Sequence, residues 1–131
     1  MTEQNSLKET ILTELSKEIL NGNQVGDILN NPIEFPTKLI EELSIATALK
    51  YWNGEISYIE GDSIMNNLYI YWMTSGQLLK NSEFSSIAWE CYEAFDAGEF
   101  YRDNEDRSSD PSEKYTRPLI ESLLQKQQLI P

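Results

Sequence analysis

The spacing of apolar residues along the chain predicts a protein built from amphipathic helices. The first helix is predicted by residues that recur at helical intervals, and Gly22 follows them as a stop signal. The stripe consists of Leu7, Ile11, Leu12, Leu15, Ile19 and Leu20. Ser6 and Glu9 have the spacing of a capping box, so the helix is predicted to begin at that point.

Three further helices follow from the same pattern. Apolar residues at helical spacing predict helices over about 36–52, 82–97 and 117–129. Glycine, asparagine and proline, which interrupt regular structure, recur in residues 22–36. This composition predicts a connector with one short helical turn. Asp110 and Pro111 have the pattern of a helix start, so a short turn is expected before the last helix. Residues 98–110 are predicted to form a polar, acidic loop.

Residues 55–73 allow two interpretations. The run at 68–72, Leu-Tyr-Ile-Tyr-Trp, is rich in residues that favour strands, and a small hairpin there would make the protein α+β. Ile64, Leu68 and Trp72 instead recur at helical spacing, with Asp62 or Ser63 available as N-cap. We predict a helix, apolar on nearly all sides and therefore central in the fold.

Taken together, the patterns predict one all-α domain over residues 1–131. It should contain about five helices around a core of leucine, isoleucine and aromatic side chains. A chain of 131 residues has the length of a single domain and can bury a core without disulfides or metals.

Missing residue types exclude several classes of chemistry. The chain has no histidine, which removes Ser–His–Asp and Cys–His catalytic arrangements and histidine-bearing metal sites. The single cysteine, Cys91, leaves no partner for a disulfide, and its place on an inward stripe predicts an unreactive thiol. We therefore expect no catalytic residues and no cofactor.

The charge of the chain constrains its partners and its location. The net charge of −12 would repel nucleic acids and anionic lipid surfaces, so neither is expected as a partner. The first residues are polar and acidic, unlike a secretory signal, and the longest apolar run is too short to span a bilayer. A cytoplasmic monomer or small homo-oligomer is expected.

Most of this negative charge lies in one stretch. Residues 83–113 hold ten acidic residues against two arginines, a local net charge of −8. Aromatic residues are interleaved with the acids: Trp89, Tyr92, Phe95, Phe100 and Tyr101. Such a surface suits a basic partner, because opposite charge steers the encounter and aromatic side chains anchor the contact.

The main hypothesis is a non-catalytic protein that binds and blocks a basic protein. Small acidic inhibitors of the immunity and antitoxin type act on basic toxins or nucleases in this way, and the analogy rests on charge and size. The predicted contact residues are Asp96, Glu99, Tyr101, Asp103, Glu105, Asp106 and Asp110. The alternative is a protein, possibly an enzyme, that binds a divalent metal or small ligand through the carboxylates of residues 96–110.

Overall fold

The computed structural model describes residues 2–29, 36–74, 85–99 and 110–131, and all regular structure in these ranges is helical. Six α-helices are described: α1 (Thr2–Ser16), α2 (Gly22–Leu29), α3 (Pro36–Trp52), α4 (Tyr58–Thr74), α5 (Ser86–Ala97) and α6 (Arg117–Lys126). A π-helical turn, Ser112–Thr116, precedes α6. The all-α prediction is confirmed, and the alternative hairpin within 55–73 is wrong. Within the described ranges, no helix is both long enough and apolar enough to cross a membrane.

Two helices begin at reciprocal caps. At the start of α4, the Ser57 hydroxyl accepts a hydrogen bond from the Glu60 N–H (3.1 Å), and the Glu60 carboxylate accepts one from the Ser57 N–H (2.8 Å). This capping box starts the helix earlier than Asp62 or Ser63 would. Asn21 and Gln24 form the same reciprocal pair before α2, so residues 22–29 form eight helical residues instead of a single turn.

Helix α1 differs from its prediction at both ends. It begins at Thr2, ahead of the predicted capping residue Ser6, and ends at Ser16. Of the predicted apolar stripe, Ile11, Leu12 and Leu15 are buried, whereas Leu7 and Ile19 are exposed. Ile19 lies beyond the last helical residue, and the helical periodicity therefore no longer fixes its direction.

The end of α1 is held by a buried asparagine of α4. The Asn67 side chain is fully buried, and its oxygen accepts a hydrogen bond from the Leu20 N–H at 2.8 Å. Its amide group donates to the Leu15 and Glu18 carbonyls, each at 2.9 Å. One side chain thus satisfies three backbone groups that the end of α1 leaves without helical partners.

All six α-helices contribute to one buried apolar cluster. Its fully buried side chains include Leu15, Val25, Ile40, Leu43, Ile64, Met65, Leu68, Phe95, Ile120, Leu123 and Leu124. Helices α4 and α5 approach each other closely where Phe95 lies against Gly61. A Cβ atom at position 61 would lie 2.5 Å from Cε1 of Phe95, so a glycine is required there despite its low helix propensity.

We predict that Asn67→Asp lowers the free energy of unfolding by about 3 kcal/mol. The substituted carboxylate keeps the acceptor for Leu20 but faces the two carbonyl oxygens without a proton to donate. Urea unfolding at neutral pH measures the loss.

Asn23→Asp is the matched control, because it adds the same charge at an exposed position in the first turn of α2. It should change the free energy of unfolding by less than about 0.5 kcal/mol. Equal effects of the two substitutions would show that the Asn67 hydrogen bonds contribute little.

Candidate functional site

Three of the seven predicted contact residues fall within the described ranges. Asp96, Glu99 and Asp110 are all exposed. The other four lie outside the described residues: Tyr101, Asp103, Glu105 and Asp106. The candidate site is therefore built from Asp96, Glu99 and Asp110 and from the side chains that surround them.

The C-terminal end of α5 is tied to two other parts of the chain. The Tyr58 hydroxyl of α4 donates to the Phe95 carbonyl, and the Thr116 hydroxyl of the π-helical turn donates to the Ala94 carbonyl, each at 2.7 Å. These bonds engage carbonyl groups in the last turn of the helix, where the Phe95 carbonyl also accepts a hydrogen bond from the Gly98 N–H at 3.1 Å.

Close packing at Gly98 brings this residue next to Ser112, although residues 100–109 separate the two in the sequence. A Cβ atom at Gly98 would lie 2.2 Å from Oγ1 of Thr116 and 2.9 Å from the Ser112 Cα. The φ angle of Gly98 is −87°, so the glycine is required by this contact and not by its backbone conformation. Residues 98 and 112 are thus neighbours, with the acids of 100–109 between them in sequence.

Asp110 has a local structural role. Its carboxylate accepts hydrogen bonds from the Ser112 N–H (2.9 Å) and the Ser112 hydroxyl (2.8 Å), at the start of the π-helical turn. The predicted helix start at Asp110 and Pro111 is confirmed. The turn continues as α6 at Arg117, one residue before Pro118, whose ring disfavours a regular α-helical turn ahead of it.

A carboxyl group on α4 joins the two acids at the end of α5. The Asp62 side chain is half-buried, its Oδ1 is buried with no hydrogen-bond partner among the described residues, and the charges of Glu99 and Asp96 lie nearby. Burial, then Glu99, then Asp96 raise the pKa of Asp62 to about 8, whereas a hydrogen bond from Asn66 acts in the opposite direction. The protonated, neutral form of Asp62 is therefore favoured at neutral pH.

The carboxylates adjoin a cluster of three aromatic rings. Tyr69 of α4 stacks on Tyr92 of α5 at 4.5 Å between centroids, and Trp89 stacks on Tyr92 at 5.5 Å. Tyr69 and Trp89 are 5.7 Å apart, so each ring contacts the other two. Trp89 is 41% exposed.

Tyr92 connects the rings to the carboxylates. Its pKa is raised by burial first and then by the negative charge of Asp96, with smaller effects of Tyr69, Glu99 and Asp62. We call the combined feature the α4–α5 surface. It consists of Asp62, Tyr69, Trp89, Tyr92, Asp96 and Glu99.

Part of this surface was predictable from the sequence. Asp96 and Glu99 are among the predicted contact residues, and Trp89 and Tyr92 are among the aromatic residues interleaved with the acids. Tyr69 was not predicted as a site residue, and Asp62 was considered only as a helix cap. Phe95 belongs to the core, since its side chain is fully buried. The capping box at Ser57 and Glu60 was the signal that could have placed Asp62 and Tyr69 in one helix, seven residues apart and on the same face.

Two other features do not form a competing site. Cys91 is fully buried, as predicted, and burial raises the pKa of its thiol, with a smaller contribution from Glu90. An open groove of about 470 Å³ between α1 and α3 is lined by apolar side chains and by the Lys8–Glu42 ion pair. Within the part of the chain that the structure describes, no three acidic or thiol groups could together hold a metal ion.

Comparison with models of known protein families, with curated proteins and with solved structures finds no match for this chain. Interpretation of the site therefore rests on its own residues.

We predict that the protein loses stability between about pH 4 and pH 8 through Asp62. The folded-state pKa of about 8 lies above the usual aspartate value of about 4. In that window the folded state binds more protons than the unfolded state, so the free energy of unfolding falls as pH rises. Asp62→Asn should remove this dependence, and its stability should exceed that of the wild type increasingly toward pH 8.

Urea unfolding at several pH values measures the difference between the two proteins. Asp27→Asn is the control, because Asp27 is exposed on α2, and its profile should run parallel to that of the wild type. A parallel profile for Asp62→Asn would mean that the Asp62 carboxyl has an ordinary pKa.

Proposed function

We propose that this protein is a non-catalytic inhibitor that binds and blocks a basic protein. The partner we favour is a toxin or nuclease, with this chain acting as an immunity- or antitoxin-type protein. The proposal includes a cytoplasmic setting and action as a monomer or small homo-oligomer.

The concentration of negative charge in one stretch carries the proposal. Residues 83–113 account for −8 of the net charge of −12. The described residues of this stretch support the proposal further. Gly98 and Ser112 are neighbours across the acidic segment, and Asp62 adds a third carboxyl group to those of Asp96 and Glu99. Acidic residues of α4 and of the end of α5 thus contribute to one region.

Such a region can inhibit without chemistry of its own. Its field attracts a cationic surface over a distance of about 8 Å at physiological salt, which raises the rate of encounter. Aromatic rings beside the charges supply contact area that charge alone does not. A nuclease whose cationic groove is covered in this way cannot reach its substrate.

The test is capture from the native lysate, with the tagged protein, at low and at high salt. We expect a basic protein in the eluate at low salt, identified by mass spectrometry, and weaker retention at high salt because salt screens the attraction. Glu105→Lys together with Asp106→Lys should reduce its recovery and make the remainder less sensitive to salt.

The matched control is Glu18→Lys with Asp27→Lys, which changes the net charge equally at exposed positions near α1 and α2. It should retain the partner nearly as well as the wild type. Retention of the same protein by all three forms, or an eluate without any basic protein, would contradict the proposal.

A further inference from the structure

The aromatic part of the α4–α5 surface has the geometry of a stacking platform. Tyr69, Trp89 and Tyr92 contact one another in pairs at 4.5–5.7 Å, and the rings of both Tyr69 and Trp89 lie against Tyr92. Trp89 nevertheless keeps 41% of its surface exposed. Exposed aromatic faces attract cations, because the ring carries negative charge density on its face.

The charged residues of α4 and α5 themselves are all acidic. Asp96 and Glu99 follow Trp89 and Tyr92 along α5 and beyond its end, and both are exposed. Trp89, Tyr92 and Asp96 are spaced three and four residues apart on α5, so the carboxylate of Asp96 lies on the same helix face as the two rings, one turn beyond Tyr92. The sequences of α4 and α5 contain no lysine or arginine.

The protein already contains one pairing of the required kind. The Arg117 guanidinium lies over the Trp52 ring at 4.4 Å from its centroid. That contact joins α3 and α6 within the fold. The α4–α5 surface offers the same type of ring face together with carboxylates.

We infer that the α4–α5 surface binds an arginine side chain of the basic partner, stacked on Trp89 and Tyr92 and paired with Asp96 and Glu99. This inference rests on the proposed function and specifies the chemistry by which the partner is recognised. Arginine fits better than lysine, since its planar guanidinium can stack on a ring and bind a carboxylate through two parallel hydrogen bonds. Lysine would gain the charge attraction but less of the stacking.

The experiment uses three peptide amides as probes: hexa-arginine, hexalysine and hexacitrulline. Citrulline has nearly the shape of arginine but no charge. Affinity is measured by titration at low salt, and the bound region is mapped through the indole N–H resonances of the three tryptophans in the ¹⁵N-labelled full chain. The inference predicts a shift of the Trp89 resonance, at least about threefold tighter binding of hexa-arginine than of hexalysine, and loss of binding with hexacitrulline.

Trp89→Leu should abolish the preference for arginine over lysine, because it removes the exposed ring. Trp52→Leu is the matched control, since its ring already contacts Arg117, and it should keep the preference. Asp96→Asn provides a second variant at an exposed position and should weaken hexa-arginine binding about threefold. Circular dichroism confirms that each variant is folded.

The outcomes separate this inference from the proposed function. Equal affinity for hexa-arginine and hexalysine, or a preference that survives Trp89→Leu, would overturn the inference. Binding that is lost in the Glu105→Lys and Asp106→Lys variant but unchanged by Trp89→Leu and Asp96→Asn would also overturn it, while leaving acidic docking supported. Failure of the proposed function would appear separately, as an eluate without a basic protein in the lysate capture.

Discussion

The C-terminal end of α5 is the point on which the candidate site depends. Two hydroxyl groups from distant parts of the chain, those of Tyr58 and Thr116, donate to consecutive carbonyls there. Gly61 and Gly98 permit the close approach, because a Cβ atom at either position would collide with a neighbour. These contacts bring Asp62 of α4 beside Asp96 and Glu99, and they place Gly98 against Ser112 on the far side of the acidic segment.

The position of these carboxylates is electrostatically unfavourable for the fold. Asp96 and Glu99 lie at the C-terminal end of α5, where the helix dipole disfavours negative charge, and Asp62 adds another carboxyl. Holding a proton on Asp62 removes part of the repulsion, and the buried hydrogen bonds of Tyr58 and Thr116 offset another part. Carboxylates placed where they destabilise the fold are typical of binding surfaces, which supports a role in recognition.

The sequence predicts helices well where apolar residues repeat at helical spacing. It predicts less well the contacts between residues that are far apart in the chain. Ile64, Leu68 and Trp72 were sufficient to choose a helix over a hairpin for α4, and Asp110 with Pro111 correctly indicated the last helical start. The α1 stripe failed at Leu7, since amphipathic spacing does not specify which positions a neighbouring helix covers, and at Ile19, because the helix already ends at Ser16.

The candidate site also combines residues that local sequence predicts with residues whose role depends on helix packing. Asp96 and Glu99 were predicted because they are close in sequence within an acidic stretch. The contribution of Asp62, thirty-seven residues before Glu99, depends on how α4 packs against α5, and no local pattern encodes it. Asn67 likewise has nothing in its immediate sequence to indicate that it holds the end of α1. Both residues depend on contacts that form only when the helices pack.

The most direct test of this account is the titration of the Asp62 side-chain carboxyl by ¹³C NMR, in the wild type and in Glu99→Gln. The account predicts a midpoint near 8 in the wild type and a lower one in the variant, because burial and Glu99 together raise the pKa. A wild-type midpoint near 4, unchanged by Glu99→Gln, would show that α4 and α5 do not bring these carboxyl groups together, and the proposed binding surface would lose its structural basis.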